Sequence, residues 1–220
     1  VIDPAGLDAL VPDWRGDADC PLKTRVKDDR FFWMTPRRAI RLPGFLMPPL
    51  MNNHHCYIGS LGNLCRWLAQ KAEALGVEIY PGFAATDVLY DDSGAVRGIA
   101  TGDMGVARDG SHKSSYVRGM ELCGKYTLFA EGARGSLSRQ LIAGFGLDKA
   151  SQPPKFGIGL KEVWQVDPAR HRNGLIQHSF GWPLDMSTGG GSFLYHYDDD
   201  RVAVGFVVHL NYDDPYLSPF

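Results

Sequence analysis

The sequence predicts an α/β fold with α+β character, and three observations support this prediction. An amphipathic helix is expected over Ser60–Gly76, and it leads directly into short apolar stretches typical of strands. A further apolar run, Tyr126–Ala130, precedes a glycine-bearing turn and a helix that begins near Ser136. Beyond about Ser151, apolar side chains alternate along extended segments, which favours an antiparallel sheet.

The first helix is predicted by apolar spacing between Ser60 as N-cap and Gly76 as terminator. Its predicted apolar face comprises Leu61, Leu64, Cys65, Leu68, Ala72 and Leu75. Two or three strands are expected next, in "VEIYPG" and in "ATDVLYDDSGAVRGIAT", where a polar Asp-Asp-Ser-Gly turn joins apolar stretches. The strand Tyr126–Ala130 is expected to be buried.

The later segments "KFGIGLKEVWQV" and "GGSFLYHYDDDRVAVGFVVHL" read as strands, the second as a hairpin around Asp198–Asp200. Alternating apolar residues are predicted to share one face there: Val202, Val204, Phe206, Val208 and Leu210. The first 55 residues are rich in proline and aromatic residues. Little regular structure is expected in them beyond a short helix near Gly6–Leu10.

Composition excludes several classes of function. The chain has 220 residues, 44% hydrophobic and 22% charged, with a net charge of -2, so nucleic acid is not expected as a partner. The four cysteines form no C-x-x-C pair, so no metal site is predicted and reduced structural thiols are expected. No apolar run reaches the roughly 20 residues that a spanning helix needs.

The turn in "TLFAEGARGSLSRQL" allows two interpretations. Gly132 and Gly135 precede the helix, and a helix N-terminus offers unpaired N–H groups and partial positive charge to a phosphate. A Gly-x-x-Gly turn also serves simply to connect a strand to a helix. The residues alone leave both interpretations open.

The stretch Lys23–Leu50 combines large apolar side chains with seven Lys or Arg residues against two Asp. Cations beside aromatic residues suit a surface that enters a bilayer interface and meets anionic headgroups. The alternative is that the aromatic residues pack in the core while the arginines are solvated. The residues expected to contact a membrane are Phe31, Phe32, Trp33, Phe45, Leu46 and Met47.

The histidines give no catalytic pattern. His54 and His55 have no carboxylate or cysteine at ligand spacing, and adjacent residues of an extended segment point to opposite faces. They are interpreted as structural or pocket-lining. Tyr195, His196 and His209 are assigned to the sheet, and no catalytic side chain is predicted.

Six blocks of the sequence, in order, resemble the bacterial form of the electron transfer flavoprotein:ubiquinone oxidoreductase family. They are "MNNHHCYIGSLGNLCRWLAQKAEALGVEIYPGFAA", "KYTLFAEGARGSLSRQL", "FGIGLKEVW", "GWPLD", "GGSFLYH" and "VAVGFVVHLNYDDPYLSPF". The resemblance implies an enzyme that passes electrons from reduced electron transfer flavoprotein to ubiquinone through FAD. It implies FAD contacts at Gly132, Ala133 and Gly135, and ubiquinone contacts at Gly190 and Gly191.

The chain departs from the family pattern at its ends, since the N-terminal Gly-x-Gly-x-x-Gly segment and the cysteines of the C-terminal [4Fe-4S] portion are absent. We therefore expect a central fragment, poorly soluble or oligomeric alone. Residues 56–150 are expected to belong to an FAD-binding domain, and residues 1–55 and 151–220 to a membrane-facing ubiquinone domain. Gly189 stands where many relatives have tyrosine.

The resemblance implies a peripheral membrane protein at the cytoplasmic face of the bacterial inner membrane, or at the mitochondrial inner membrane in eukaryotic relatives. Two alternatives stay open. The first is another FAD-dependent oxidoreductase, of the geranylgeranyl-reductase or aromatic-hydroxylase type, which would share the strand-glycine-helix block. The second is a non-catalytic module that binds quinone or lipid.

Overall fold

The structure is a computed structural model that describes residues 1–218. Over this range the chain divides into two compact units, the first formed by Val1–Val77 with the chain from Pro154 onward, and the second by Glu78–Pro153. The sequence analysis instead divided the chain at residues 56 and 150, according to the expected FAD-binding and ubiquinone-binding domains. That division stays a prediction. The α+β class, with several separate sheets, is confirmed.

Helices and strands alternate in an irregular order along residues 1–218. In chain order they are α1 Ala5–Leu10, β1 Thr24–Arg25, β2 Asp28–Met34, β3 Ala39–Leu42, β4 Tyr57–Ile58, α2 Leu61–Ala74, β5 Ala85–Tyr90, β6 Val96–Thr101, β7 Met104–Val106, β8 His112–Val117, β9 Glu121–Cys123, α3 Ser136–Phe145, β10 Gly157–Gln165, β11 Leu175–Gly181, β12 Gly190–Tyr197 and β13 Arg201–His209.

The first unit is built on a large sheet, which within residues 1–218 has six strands in the order β10-β13-β12-β11-β2-β3. Neighbouring strands are antiparallel except β2 and β11, which run parallel. The predicted hairpin is confirmed, since Tyr197 of β12 pairs with Arg201 of β13. The sheet therefore brings the start of β12 beside the end of β13 and next to β11.

Two groups of buried side chains stabilise the first unit. One lies between the large sheet and the β4 region, where Ile58 and Cys56 pack on Ile176 and Tyr197. The other joins α1 to α2, and its members are Leu7, Trp14, Cys20, Leu22, Leu64 and Trp67. Burial of such side chains stabilises a fold by about 1.5–3 kcal/mol each, so these two clusters hold the sheet and α2 in place.

The second unit contains the sheet β5-β6-β9, the hairpin β7-β8 and helix α3. The predicted turn after Tyr90 is confirmed, because Asp91 Oδ1 accepts hydrogen bonds from the backbone of Ser93 and Ala95. Helix α3 begins at Ser136 as predicted, and it ends at Gly146, whose φ of 62° is left-handed.

The prediction of little regular structure in the first 55 residues was wrong. Strands β2 and β3 lie in this region and complete one side of the large sheet. Strand β2 has no alternation of polar and apolar residues, and its partner β11 is about 150 residues away in sequence, so local reasoning missed a pairing that only the tertiary fold provides.

Two predicted strands were also wrong. Neither Tyr126–Ala130 nor the stretch 77–82 forms a ladder with any other part of residues 1–218. Tyr126 and Leu128 are both 92% exposed rather than buried. A strand needs a hydrogen-bonded neighbour, and no described segment provides one.

Side-chain burial corrects two further details. In α2 the buried residues are Leu64 and Trp67, whereas Leu61, Cys65 and Leu75 are exposed. Trp67 lies three residues after Leu64 and therefore shares its face of the helix, although the predicted apolar face omitted it. In β13, Val202 and Val208 are buried but Val204 is exposed, so that face is covered only in part.

Candidate quinone and flavin sites

The start of β12 has a backbone that only glycine adopts readily. Gly190 and Gly191 have φ of 145° and 154°. A Cβ on Gly190 would collide with the carbonyl oxygen of Val207 and lie 2.7 Å from Leu184 Cδ1. A Cβ on Gly191 would collide with the carbonyl oxygen of Ser179. The glycine pair therefore lets β12 lie close to both β11 and β13.

Aromatic side chains follow this glycine pair along one face of the large sheet. Since side chains alternate in a strand, Gly191, Phe193 and Tyr195 of β12 share a face. Phe193 pairs with His178 of β11, and His178 pairs with Phe31 of β2. The ring centroids of Phe193 and Tyr195 are 4.8 Å apart at 23°, so the two rings stack.

His178 and Tyr195 form the principal polar contact of this face. His178 Nε2 and Tyr195 Oη are 2.8 Å apart and part-buried. Phe31 stacks on His178 with a centroid separation of 6.0 Å. Burial lowers the pKa of His178 and raises the pKa of Tyr195 to about 12. Both side chains are therefore neutral at physiological pH, and Tyr195 keeps its proton.

Asp29 of β2 supplies negative charge beside this pair. Its carboxylate accepts hydrogen bonds from the Asn53 backbone at 3.0 Å and from Asn53 Nδ2 at 3.1 Å. The Asp29 charge raises the pKa of His178 and so opposes the effect of burial there. It also raises the pKa of Tyr195, where it adds to the effect of burial. Sequence reasoning missed this cluster, because its members come from strands far apart in the chain and no local signal links them.

Tyr195 and Phe193 line a cavity of about 580 Å³ in the first unit. Lys161 is the cation in its wall, and Ser60 at the start of α2 contributes a hydroxyl. The other lining residues are Val1, Ile2, Ile58, Gly59, Leu61, Gly62, Val163, Tyr197 and Ala203. A volume of this size with mostly apolar walls and a few polar groups suits a small organic ligand.

A second cavity of about 260 Å³ lies under the loop that follows β3, and it is lined by Asp29, Phe31, Leu42, Gly44, Phe45, Met47, Met51, Asn52 and His54. This loop, residues 43–51, contains two short 3-10 helices. It exposes large apolar side chains, with Phe45 85% and Leu50 97% accessible.

The structure separates the residues predicted to contact a membrane. Phe45, Leu46 and Trp33 are exposed, whereas Phe31, Phe32 and Met47 are half-buried. The exposed guanidinium groups nearest in sequence are those of Arg37, Arg38 and Arg41. The exposed apolar loop and these cations thus lie on neighbouring elements of the first unit.

The turn before α3 is a 3-10 helix over Gly132–Arg134. Gly132 has a φ of 73°, and a Cβ there would meet nothing within 4 Å, so the backbone is open to approach. The carboxylate of Glu131, however, already accepts hydrogen bonds from the first turn of α3: Ser138 N at 2.6 Å and Ser138 Oγ at 2.7 Å. These contacts lower the pKa of Glu131.

The side chain of Glu131 also explains why residue 135 is a glycine. A Cβ at Gly135 would collide with the Glu131 side chain, including a contact of 2.5 Å to Oε2. Gly135 therefore makes room for the carboxylate that caps α3. A phosphate at this turn would fit over Gly132 and Ala133, where the backbone is open, more readily than over the capped helix N-terminus.

The histidines singled out from the sequence have structural surroundings. His55 Nε2 lies 3.4 Å from Asp3 Oδ2 at the surface, and His54 lines the smaller cavity. His196 Nδ1 accepts a hydrogen bond from Arg172 N, and burial lowers the pKa of His196. Across residues 1–218, no group of three or more His, Cys, Asp or Glu side chains could hold a metal ion.

Gly190 and Gly191 lie in the first unit, whereas Gly132, Ala133 and Gly135 lie in the second. Among the helices of the described chain, none is both long and apolar enough to cross a membrane.

Residues 156–220, which contain the glycine pair and the stacked rings of β12, match a family model described as "ETF-QO, ubiquinone-binding". The strands β10 to β13, which lie within this match, are thus similar to the class of ubiquinone-binding domains. More particularly, the whole chain is similar in sequence to the electron transfer flavoprotein-ubiquinone oxidoreductases. The resemblance read from the six sequence blocks is confirmed.

The similarity covers all of the chain but only part of each relative. The chain is 50% identical over 220 residues to the mitochondrial enzyme of Dictyostelium discoideum, of which it covers 36%. It is 51% identical over 222 residues to the enzyme of Pseudomonas aeruginosa, of which it covers 40%. The human mitochondrial enzyme is 48% identical, with 36% covered. The chain thus spans less than half the length of these relatives.

Among solved structures, a tryptophan 6-halogenase from Streptomyces toxytricini matches 72% of this chain and 27% of its own, at 15% identity and a TM-score of 0.44. A thermophilic tryptophan halogenase matches with a TM-score of 0.42. Scores below 0.5 are too low to support a functional comparison.

Proposed function

We propose that the protein containing this chain takes electrons from reduced electron transfer flavoprotein and delivers them to ubiquinone at a membrane surface. The observation that carries this proposal is the glycine pair at the start of β12, inside the segment that matches the ubiquinone-binding family model. The backbone of Gly190 and Gly191 holds the quinone head group. An amide N–H is a fixed donor, and it stabilises negative charge that develops on a quinone oxygen.

The surroundings of the pair suit a quinone. Phe193 follows Gly191 on the same face, and it offers an aromatic surface on which a flat ring stacks. Without a Cβ at either position, no side chain of the pair itself stands between a ring and the main chain. Many relatives place a tyrosine at the position of Gly189, but here the ring of His209 fills the space beside that glycine, so the quinone ring rests on Phe193.

FAD is the cofactor of this proposal, and it accepts electrons singly and in pairs when bound. The residues that hold its pyrophosphate are Gly132 and Ala133, whose turn is open to approach. Gly135 contributes indirectly, because it accommodates the Glu131 cap of α3. A [4Fe-4S] cluster in the whole enzyme takes its ligands from residues outside this chain.

The exposed loop 43–51 is the membrane contact. Phe45, Leu46 and Leu50 enter the interfacial region, and the cations Arg37, Arg38 and Arg41 meet anionic headgroups. Trp33, exposed on β2, adds an aromatic side chain of the kind enriched at membrane interfaces. We therefore propose a peripheral membrane protein, and we assign it to the cytoplasmic face of the bacterial inner membrane because its sequence blocks resemble the bacterial form.

The test uses the full-length polypeptide that contains this chain. Purified in detergent, it should show flavin absorbance and reduce ubiquinone-1 with reduced electron transfer flavoprotein as donor. An aromatic hydroxylase would instead consume NAD(P)H and oxygen, and a non-catalytic module would be colourless. A flavin-containing preparation that transfers no electrons from the flavoprotein to ubiquinone-1 would contradict the proposal.

A further inference from the structure

The pair His178–Tyr195 lies on the same sheet face as the glycine pair. Gly191, Phe193 and Tyr195 share that face of β12, and four residues of strand span about 13 Å. A flat ring held at Gly191 and stacked on Phe193 therefore extends toward Tyr195 Oη. His178 holds that hydroxyl from the neighbouring strand at 2.8 Å.

We propose that Tyr195 donates a proton to the reduced quinone, and that His178 is the positioning residue that holds and re-protonates it. This inference rests on the proposed function. The reduction of a quinone to a quinol takes two electrons and two protons, and backbone amides supply neither proton. Phe31 stacks on His178 and Phe193 stacks on Tyr195, so the hydroxyl is held in place among aromatic rings and is better positioned than a mobile water to donate the first proton.

The proton balance closes with these two side chains and water. The electrons come from reduced electron transfer flavoprotein. The O–H bond of Tyr195 breaks as an O–H bond forms on one quinone oxygen. The tyrosinate takes a proton from His178 Nε2 while His178 Nδ1 takes one from water, so both side chains end neutral. The second quinone oxygen takes its proton from water.

The properties of the pair support this assignment. Tyr195 lines the 580 Å³ cavity, so its ring is accessible to a ligand although its hydroxyl is part-buried. Its pKa of about 12 keeps the donor loaded with a proton and makes tyrosinate short-lived. Asp29, on the adjacent strand, attracts a proton toward His178.

The test compares Tyr195→Phe and His178→Gln in the full-length enzyme, with Ser179→Ala as the matched control. Ser179 Oγ bonds Ser192 Oγ at 2.6 Å between the same two strands but on the opposite face. Each variant is assayed with reduced electron transfer flavoprotein and two acceptors. Ubiquinone-1 needs protons, whereas ferricyanide takes an electron alone.

For Tyr195→Phe, kcat with ubiquinone-1 should fall about 100-fold, while the ferricyanide rate stays within about twofold. In His178→Gln, kcat should fall about tenfold with ubiquinone-1 but not with ferricyanide. Ser179→Ala should match the parent with both acceptors. The solvent deuterium isotope effect on ubiquinone-1 reduction should rise in His178→Gln. The dissociation constant of ubiquinone-1 from the oxidised enzyme, measured by calorimetry, should change less than about threefold, because Tyr195 acts after reduction.

Two outcomes would overturn the inference. One is an unchanged ubiquinone-1 rate in Tyr195→Phe. The other is an equal fall with both acceptors, which would assign the pair a purely structural role. If the parent enzyme itself reduced ferricyanide but not ubiquinone-1, the proposed function would fail, and that result is visible before any variant is made.

Discussion

At the scale of single residues, stability depends most on positions where a glycine or a carboxylate determines the local backbone conformation. Gly191 is the clearest position, since its φ of 154° and its approach to the Ser179 carbonyl both exclude a side chain. Gly44, by contrast, lies in a short 3-10 helix without a left-handed φ, and a methyl group added there would meet no atom within 4 Å. The two kinds of glycine should respond differently to substitution.

Gly191→Ala should destabilise the protein by about 2 kcal/mol or more, because the methyl group meets a carbonyl oxygen and the backbone is unfavourable for alanine. The free energy of unfolding from urea titration measures this loss. Gly44→Ala is the control, and it should change stability by less than about 0.5 kcal/mol. Equal stability of both variants would show that β12 relaxes freely at Gly191.

Glu131 is a second residue with a local structural role. Glu131→Gln should lower the melting temperature at pH 7, because a carboxylate stabilises the N-terminus of α3 and an amide does so less well. The pKa of Glu131 is lowered in the folded protein, so its contribution is complete above the ordinary value of 4.5 and is lost as the pH falls through the lower folded pKa.

The difference in melting temperature between the parent and Glu131→Gln should therefore shrink as the pH is lowered below 4.5. Thermal melts across this range measure it. Glu73→Gln, an exposed substitution on α2, is the control and should show no such difference. A difference that persists unchanged at low pH would rule out the cap as its cause.

At the scale of elements, local sequence patterns identified the helices and the hairpin whose ends are set by neighbouring residues. The helices over Leu61–Ala74 and Ser136–Phe145 were predicted, as was the hairpin of β12 and β13, because capping residues, glycines and turn residues define them locally. Strand β2 was missed although a short turn joins it to β3, because its side chains do not alternate and its other partner, β11, is distant in sequence. The cluster of Asp29, His178 and Tyr195 was missed for the same reason.

The loop 43–51 is an element whose exposed apolar side chains predict membrane binding. A triple variant, Phe45→Ser, Leu46→Ser and Leu50→Ser, should lower the partition coefficient of the full-length protein onto anionic vesicles at least tenfold, because each large apolar side chain contributes up to about 1.5–3 kcal/mol when buried. Vesicle co-sedimentation measures this partitioning.

The matched control for the loop is Leu10→Ser, which removes an exposed leucine, 72% accessible, from α1. It should leave vesicle binding unchanged. Raising the salt concentration should weaken binding of the parent protein, since Arg37, Arg38 and Arg41 act by screened attraction. Identical partitioning of the triple variant and the parent would show that the loop does not enter the bilayer.

At the scale of the whole molecule, we expect the exposed segment Tyr126–Ala130 to determine whether the chain self-associates in solution. Tyr126 and Leu128 expose apolar side chains on a segment with no ladder partner among residues 1–218. Expressed alone, residues 1–220 should self-associate, as sedimentation velocity would reveal. Leu128→Lys should reduce the association, whereas Leu75→Lys, which alters a similarly exposed leucine at the end of α2, should not.

A monomeric, cooperatively unfolding preparation of residues 1–220 would contradict this expectation. It would mean that the exposed segments are stable without a partner. Equal self-association of Leu128→Lys and the parent would locate the association elsewhere on the surface.

Local sequence is enough to establish the α+β class, the capped helices, the C-terminal hairpin and, through six ordered blocks, the family. These features depend on neighbouring residues, whose spacing and capping chemistry act over short distances. Three other features are known from the folded chain alone: β2 joins β11, Glu131 fills the N-terminus of α3, and His178 meets Tyr195 on the face of the glycine pair. The strand pairing and the His178–Tyr195 contact join residues whose distance in sequence carries no local signal, because folding brings them together.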